Sequence, residues 1–270
     1  MNILDLIFPK DLYCISCGRP LPLQGPGGFA LCGSCTDGID WITGRSCAKC
    51  GKPLSDENPM DFCRDCALAA PHVFGRGFAC ALYTGRVAEI IRGMKYRGKA
   101  WHADTLSKMM ADRYFSMADA ETGELPYYDG IAAVPMTAGK KDVRGYDQAA
   151  LMAAGLSLRI GIPWLKGALS RIRETGVMSS LSEDERRQNL TGAFAVGYDM
   201  IEAVKGKSIL LVDDIYTTGS TIDTCAEALF SAGAERVDFF VFAAGADTRR
   251  TKDRPAVVES PGQLRAKGPT

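Results

Sequence analysis

Histidine is scarce in this sequence: only His72 and His102 occur in 270 residues. Chemistry that depends on an imidazole base therefore has few candidates. No apolar run approaches the ~20 residues that a membrane span requires. The opening stretch Met1–Phe8 is apolar but short. It carries Asp5 and lacks both a basic leader and a small-residue cleavage site, so it does not read as a signal peptide. Formal net charge is +0, which gives no global electrostatic pull toward nucleic acid or an anionic membrane. The expectation is a cytoplasmic protein without a membrane span.

Apolar residues and cysteine are plentiful. Apolar residues make up 46% of the chain, enough for one large core domain plus a small module. Eight of the ten cysteines form four Cys-x-x-Cys pairs, all before residue 67. In a reducing compartment such pairs are more often metal ligands than disulfides. A Cys-x-x-Cys turn places two sulfurs on one ion, and zinc takes four thiolates tetrahedrally. Four pairs thus suffice for two structural zinc ions. The spacing pairs Cys14/Cys17 with Cys32/Cys35, and Cys47/Cys50 with Cys63/Cys66. An interleaved arrangement satisfies the same count. An internal repeat favours the consecutive order, because Cys14-Ile-Ser-Cys17-Gly-Arg-Pro-Leu21 recurs as Cys47-Ala-Lys-Cys50-Gly-Lys-Pro-Leu54. No open coordination position is suggested, so the metal is assigned no catalysis. Cys80 and Cys225 read as small buried hydrophobes.

From about Val73 the pattern becomes α/β. Phe78–Tyr83, Ile131–Val134, Ser208–Val212 and Val237–Ala244 read as strands. Val87–Met94, Trp101–Met117, Asp147–Leu158 and Thr221–Ala232 have helical spacing. This alternation predicts a parallel sheet covered on both faces. Arg171–Leu190 reads as a polar loop with a short helix from Ser182, where Ser182 and Glu185 have capping-box spacing. The predicted organisation is a cysteine-rich double module over 1–72, an α/β domain over 73–245, and a polar, disordered tail over 246–270.

The segment Ile209-Leu-Leu-Val-Asp-Asp-Ile-Tyr-Thr-Thr-Gly-Ser-Thr221 carries the chemistry. A buried strand delivers Asp213 and Asp214 at its C-terminal edge, and a turn then opens a helix. Free N–H groups at a helix N-terminus bind anions. Gly219 permits close backbone approach, while Thr217, Thr218, Ser220 and Thr221 add hydroxyl donors. The pattern suits a phosphate monoester, with the two acids accepting hydrogen bonds from vicinal ribose hydroxyls. Solvated acids before an ordinary capped helix would share parts of this pattern, but not the whole string.

Val212–Thr221 resembles the phosphoribosyl pyrophosphate (PRPP) motif of type I phosphoribosyltransferases. The wider chain, over about residues 3–245, resembles the ComF family, a branch with an N-terminal cysteine-rich zinc module. Val134-Pro135, Arg144-Gly-Tyr-Asp-Gln148, Leu169–Thr175, Leu181-Ser182, Glu185–Arg187, Asn189 and Gly192-Ala-Phe194 carry that resemblance. It implies a type I phosphoribosyltransferase-like parallel sheet flanked by helices, preceded by a duplicated zinc-ribbon-like module. It also implies a PRPP site with Mg²⁺ held mainly by the ligand's own oxygens. Asp213 and Asp214 would hold the ribose, and Thr217, Thr218, Gly219, Ser220 and Thr221 the 5-phosphate. Lys140, Lys141 and Arg144 would lie near the pyrophosphate. Arg171–Asn189 would close over the site and supply Arg171 and Arg173 to catalysis beside the two aspartates. The chain departs from the family's usual pattern at Tyr146-Asp147 and at Met178. Displacing pyrophosphate from the anomeric carbon relies on positioning and charge neutralisation more than on a strong base, so scarce histidine is no obstacle.

The resemblance leaves two functions: transfer of phosphoribosyl to an unidentified acceptor, or a non-enzymatic PRPP-sensing or adaptor role in natural-competence DNA uptake, with a DNA translocase as partner. Residues 1–70 carry six Lys/Arg and eight Asp/Glu, which argues for a fold staple or protein-docking surface rather than a phosphate-backbone binder. Arg86–Lys108 is basic (Arg86, Arg92, Lys95, Arg97, Lys99, Lys108), with Tyr96 and Trp101 interleaved. It reads as a solvated helix face, with single-stranded DNA contact as the alternative.

Overall fold

The computed structural model describes residues 12–22, 28–68, 71–119, 121–173 and 189–246. Its centre is a parallel sheet of β1 (Gly77–Leu82), β2 (Gly130–Ala133), β5 (Ser208–Tyr216) and β6 (Arg236–Ala244), in the order β1-β6-β5-β2. Ile209 pairs with Val237 and Tyr216 with Ala244, so β5 and β6 end together at one edge. Leu169–Arg171 (β3) and Phe194–Val196 (β4) form a separate antiparallel pair.

Successive side chains of β5 and β6 serve two different cores, as a period of two requires. Leu210, Val212, Phe240 and Phe242 pack into one. Ile209, Leu211, Phe239 and Val241 pack into the other. The first core is covered by α3 (Gly85–Tyr96), α4 (His102–Phe115) and α6 (Gln148–Ile160). The second is covered by α8 (Ser220–Ser231). Both faces are thus buried, which explains the continuous apolar runs of these strands.

The cysteine-rich segment, with short helices α1 (Gly33–Asp37) and α2 (Arg64–Leu68), lies against the exposed side of β1. Trp41 bridges Ala81 in antiparallel fashion. Ile42 N–H donates to Cys80 O, Leu82 N–H to Asp40 O, and Gly77 N–H to Lys49 O. Those bonds cover a strand edge that would otherwise be open to pairing. Cys14 and Cys35 belong to the first core, whereas Cys47, Cys50 and Cys63 belong to the second.

Three features differ from the sequence expectations. Strand β5 continues four residues past Val212, so Asp213 and Asp214 are strand residues, with Asp213 paired to Val241 of β6. Ala138–Arg144 is a helix (α5) that the apolar spacing does not signal. Thr137 caps it by accepting from Lys140 N–H, and Gly145 ends it in the left-handed region at φ 76°. Arg171, expected to open the polar loop, instead ends strand β3. The rest of the expected polar loop, with Met178, Ser182 and Glu185–Arg187, lies outside the described residues, as does the expected tail beyond Ala246. Among the described residues no helix is long and apolar enough to cross a membrane.

Candidate functional site

The C-terminal edge of β5 gathers acids, cations and the glycine turn. Asp214 is 6% exposed, and its carboxylate Oδ1 accepts from Lys95 Nζ at 2.9 Å. Asp213 Oδ1 accepts from the backbone N–H of Asp214 at 2.8 Å. Burial, and then the neighbouring charge of Asp214, pushes the Asp213 carboxyl up to about 8; Lys95 acts in the opposite direction. The two acids therefore do not behave as an open pair of carboxylates. One is neutralised by an ammonium, and the other holds its proton at lower pH.

Four cations from three elements surround this edge: Lys95 at the end of α3, Lys140 and Arg144 on α5, and Arg171 on β3. Packing around the Lys140 ammonium, then the charges of Arg144, Arg171 and Lys95, lower its pKa. The Arg144 guanidinium donates to Gln148 Oε1 at 3.0 Å and lies 5.5 Å from the Tyr96 ring centre. The Arg171 guanidinium lies 5.2 Å from the Phe194 ring centre. Concentrated positive charge beside a phosphate-shaped turn can neutralise an anionic leaving group.

The Arg144–Gln148 stretch sets the position of Lys95. Tyr146 Oη donates to Met94 O at 2.5 Å, and Gln148 Nε2 donates to the same carbonyl at 3.4 Å. Asp147 caps α6 by accepting from Ala150 N–H at 3.0 Å, and its other oxygen accepts from Met136 N–H at 3.3 Å. Asp and Asn cap helices about equally well, so Asp147 keeps this corner intact.

The turn itself opens α8. Gly219 sits at φ 94°, and a Cβ there would lie 2.8 Å from Tyr216 Oη and 2.9 Å from His72 Cε1. Only glycine fits. No side chain caps the first turn of α8, so its backbone N–H groups are available to an anion. Thr218 and Ser220 hydroxyls lie 3.3 Å apart at the mouth. Thr217 is exposed, Thr218 and Thr221 are half-buried, and Ser220 is buried.

The eight paired cysteines form two groups, Cys14/Cys17/Cys32/Cys35 and Cys47/Cys50/Cys63/Cys66, each with its sulfurs within 4.8 Å of one another. All are free thiols. Sulfur separations of 3.8 Å (Cys17–Cys32) and 3.6 Å (Cys50–Cys63) match the edge of about 3.8 Å that a tetrahedron with Zn–S near 2.3 Å would have. The grouping is consecutive, not interleaved. The residues fit structural zinc.

Comparison with known proteins agrees. A double zinc ribbon domain model matches residues 3–67, and a phosphoribosyl transferase domain model matches residues 147–262. Competence protein F of Haemophilus influenzae is 29% identical over 84% of this chain and 94% of its own length. DNA utilization protein YhgH of Salmonella typhi is 29% identical over 83% of this chain and 93% of its own length. Competence protein ComFC of Bacillus subtilis is 24% identical over 75% of this chain and 79% of its own length. Over most of its length the chain is similar to these competence and DNA utilization proteins. It carries the double zinc ribbon and the phosphoribosyltransferase-like fold in that order.

The structure brings Asp213, Asp214, Lys140, Arg144 and Arg171 together with the Thr217–Thr221 turn. Lys141 is exposed on α5. Arg173 stands apart: its guanidinium donates to the carbonyls of Asn189 at 2.9 Å and Thr191 at 2.7 Å, clasping the two ends of the intervening segment.

Two residues escaped sequence reasoning. Lys95 looked like part of a solvated basic face, yet it turns inward to Asp214. His72 has no evident partner in the sequence, yet its Nδ1 lies 2.7 Å from Asp223 Oδ2, and both side chains are 3% exposed. Val73 N–H donates to the other Asp223 oxygen at 2.8 Å, so the inter-module link is tied to the first turn of α8. A histidine just before the α/β pattern and an aspartate two residues after the turn were the available signals. His102 is structural: its Nδ1 lies 3.1 Å from Ile90 O, and burial holds its pKa down to about 4.

Proposed function

We propose that this chain binds PRPP together with Mg²⁺ at the C-terminal edge of β5 and acts on it as a phosphoribosyltransferase. The observation that carries the reading is the convergence of Asp213, Asp214, Lys95, Lys140, Arg144 and Arg171 on the uncapped turn of α8. Asp213 and Asp214 accept from the ribose hydroxyls. The Thr217–Thr221 backbone and hydroxyls hold the 5-phosphate. Lys140, Lys141 and Arg144 face the pyrophosphate with Arg171 beside it, while Arg173 acts from farther out through the carbonyls of Asn189 and Thr191. Because Lys95 already neutralises Asp214, the acid pair suits hydroxyl donors better than a bare divalent ion. Mg²⁺ then depends mainly on ligand oxygens, which it accepts readily. When bound, it would neutralise charge on the departing pyrophosphate. The chain's own cations add to that neutralisation and orient the leaving group along the displacement axis.

The proposed division places the ribbons in residues 1–72 and the catalytic unit in 73–245. A cytoplasmic setting suits eight cysteines kept as thiolates.

A second reading, a PRPP sensor or adaptor in DNA handling, draws on the names competence protein and DNA utilization protein carried by the relatives. Tyr96 and Trp101 remain 75% and 62% exposed beside Arg97 and Lys99. Stacking on such rings is worth roughly 1–3 kcal/mol per base in single-strand binders. Three other basic residues of that stretch are engaged: Arg86 with Glu89, Lys95 with Asp214 and Lys108 with Asp104.

Calorimetric titration with PRPP and Mg²⁺ decides between these readings, with Asp213→Asn/Asp214→Asn as the control. The transferase reading expects saturable heat that the double variant loses, and pyrophosphate release with an acceptor base. Binding without release across a panel of bases favours the sensor. No heat from the intact protein overturns both.

A further inference from the structure

A second cluster of cationic side chains lies far from the β5 edge. A cavity of about 280 Å³ opens at the seam between the second cysteine ribbon and the beginning of β1. Ser46 and Gly51 come from the ribbon, Arg76 and Phe78 from the start of β1, and Arg113 and Ser116 from the end of α4. Among the described residues no Asp or Glu lines it. Gly77 opens β1, while Leu82 and Ala244 mark the other end, where the phosphate turn lies. The cavity is therefore at the opposite edge of the sheet.

Its arginines are unusual in their surroundings. Neither Arg76 nor Arg113 takes part in an ion pair among the described residues. Arg113 donates through Nη1 to Ser116 Oγ at 3.2 Å, but its Nε is buried with no acceptor. The Arg76 guanidinium rests 5.1 Å from the Phe78 ring centre. A buried guanidinium N–H is ordinarily matched by an acceptor, and here the described residues supply none. The walls are held in place: Gly77 N–H donates to Lys49 O, and a Cβ on Gly51 would lie 2.6 Å from Gly77 O. The volume sits just under the roughly 300–1,000 Å³ of ordinary ligand pockets. It has room for a phosphate carrying a small organic group, not for a dinucleotide.

We propose that this cavity is a second anion site that binds a small phosphate monoester, with Arg113 and Arg76 as the recognition pair and the Ser46 and Ser116 hydroxyls as additional donors. Arginine suits the task because its planar fork matches two phosphate oxygens at once. The proposal does not depend on PRPP binding at β5, and both sites can be filled together.

The test is a titration of the full-length, zinc-loaded protein with inorganic phosphate and with ribose 5-phosphate. It is followed by calorimetry and by the NMR signal of the Arg113 Nε–H group. Phosphate is expected to shift that signal, and Arg113→Met to weaken this binding component at least tenfold while leaving the PRPP titration unchanged. Arg76→Met, at an exposed position, is expected to weaken it as well and carries the test if Arg113→Met does not fold. An unmoved Arg113 signal, or unchanged phosphate binding in either folded variant, overturns the proposal. So does binding of a 5′-phosphorylated oligonucleotide here when neither small ligand binds.

Discussion

Lys95 and Asp214 are 119 residues apart in sequence, and their side chains meet at 2.9 Å, with 22% and 8% of the two side chains exposed. Fully buried pairs lose about 3–5 kcal/mol when one partner is removed. With Lys95 partly solvated, ~2 kcal/mol is the expected cost of Lys95→Met, equivalent to about 4–8 °C in Tm for a chain of this size. The same variant is expected to weaken PRPP binding about tenfold, because Asp214 loses the ammonium that pairs with it and orients it. Lys95→Arg should recover most of the affinity. Thermal melts and PRPP calorimetry check both, and an unchanged affinity in a folded Lys95→Met protein would remove Lys95 from the site.

Asp213 gives a pH signature. Its folded-state pKa, near 8, lies above the carboxyl group's ordinary value of 3.8. The folded chain then binds more protons than the unfolded chain between those values, and this residue's contribution to stability falls as pH rises through that window. Asp213→Asn, which cannot ionise, should flatten that slope. Urea melts at pH 5 and pH 8 are expected to show the variant gaining on the parent at the higher pH. A parallel dependence in both proteins would refute the shifted carboxyl.

The β5–α8 unit was legible because everything it needs is contiguous: apolar strand, acids, glycine turn, helix. The zinc ligands were legible for the same reason, since a Cys-x-x-Cys turn is local chemistry and the repeat suggested the grouping. Lys95 was not legible. Its inward direction depends on Tyr146 and Gln148 holding the Met94 carbonyl, a contact across more than fifty residues. Helix α5 was missed because Pro135 and Gly139 resemble loop residues. The deciding features were the Thr137 cap and the left-handed Gly145 end. The ribbons' place along β1 was invisible because it is made by backbone bonds, which carry no side-chain signature.

The second ribbon supports the Gly219 turn from behind. Lys52 is 3% exposed, pairs with Asp65 at 2.6 Å, and lies 5.5 Å from the ring centre of Tyr216, the residue that ends β5. Elemental analysis should find about two zinc ions per chain. Loss of the Cys47/Cys50/Cys63/Cys66 ion should weaken PRPP binding more than loss of the first ion, whose ligands Cys14 and Cys35 pack in the other core. Cys50→Ser and Cys17→Ser, compared by zinc content and PRPP calorimetry, check the asymmetry. Equal effects from the two variants would mean that the ribbons only stabilise the fold.

His72 and Asp223 form the other brace. The imidazole Cε1 comes within 2.9 Å of where a Gly219 side chain would begin, and the ring stacks on Phe74 at 4.7 Å. His72→Ala leaves the buried Asp223 carboxylate without its imidazole partner, a loss on the order of 1–3 kcal/mol. It also opens space behind Gly219. The turn should then sample more conformations, and ordering it on ligand binding becomes costlier. The expected result is a lower Tm together with weaker binding of ribose 5-phosphate at the turn. His72→Gln, which restores a hydrogen-bonding side chain of similar reach, should recover part of both. A drop in Tm with ligand affinity intact would show that the brace serves the fold alone, and would free the turn from any dependence on the inter-module link.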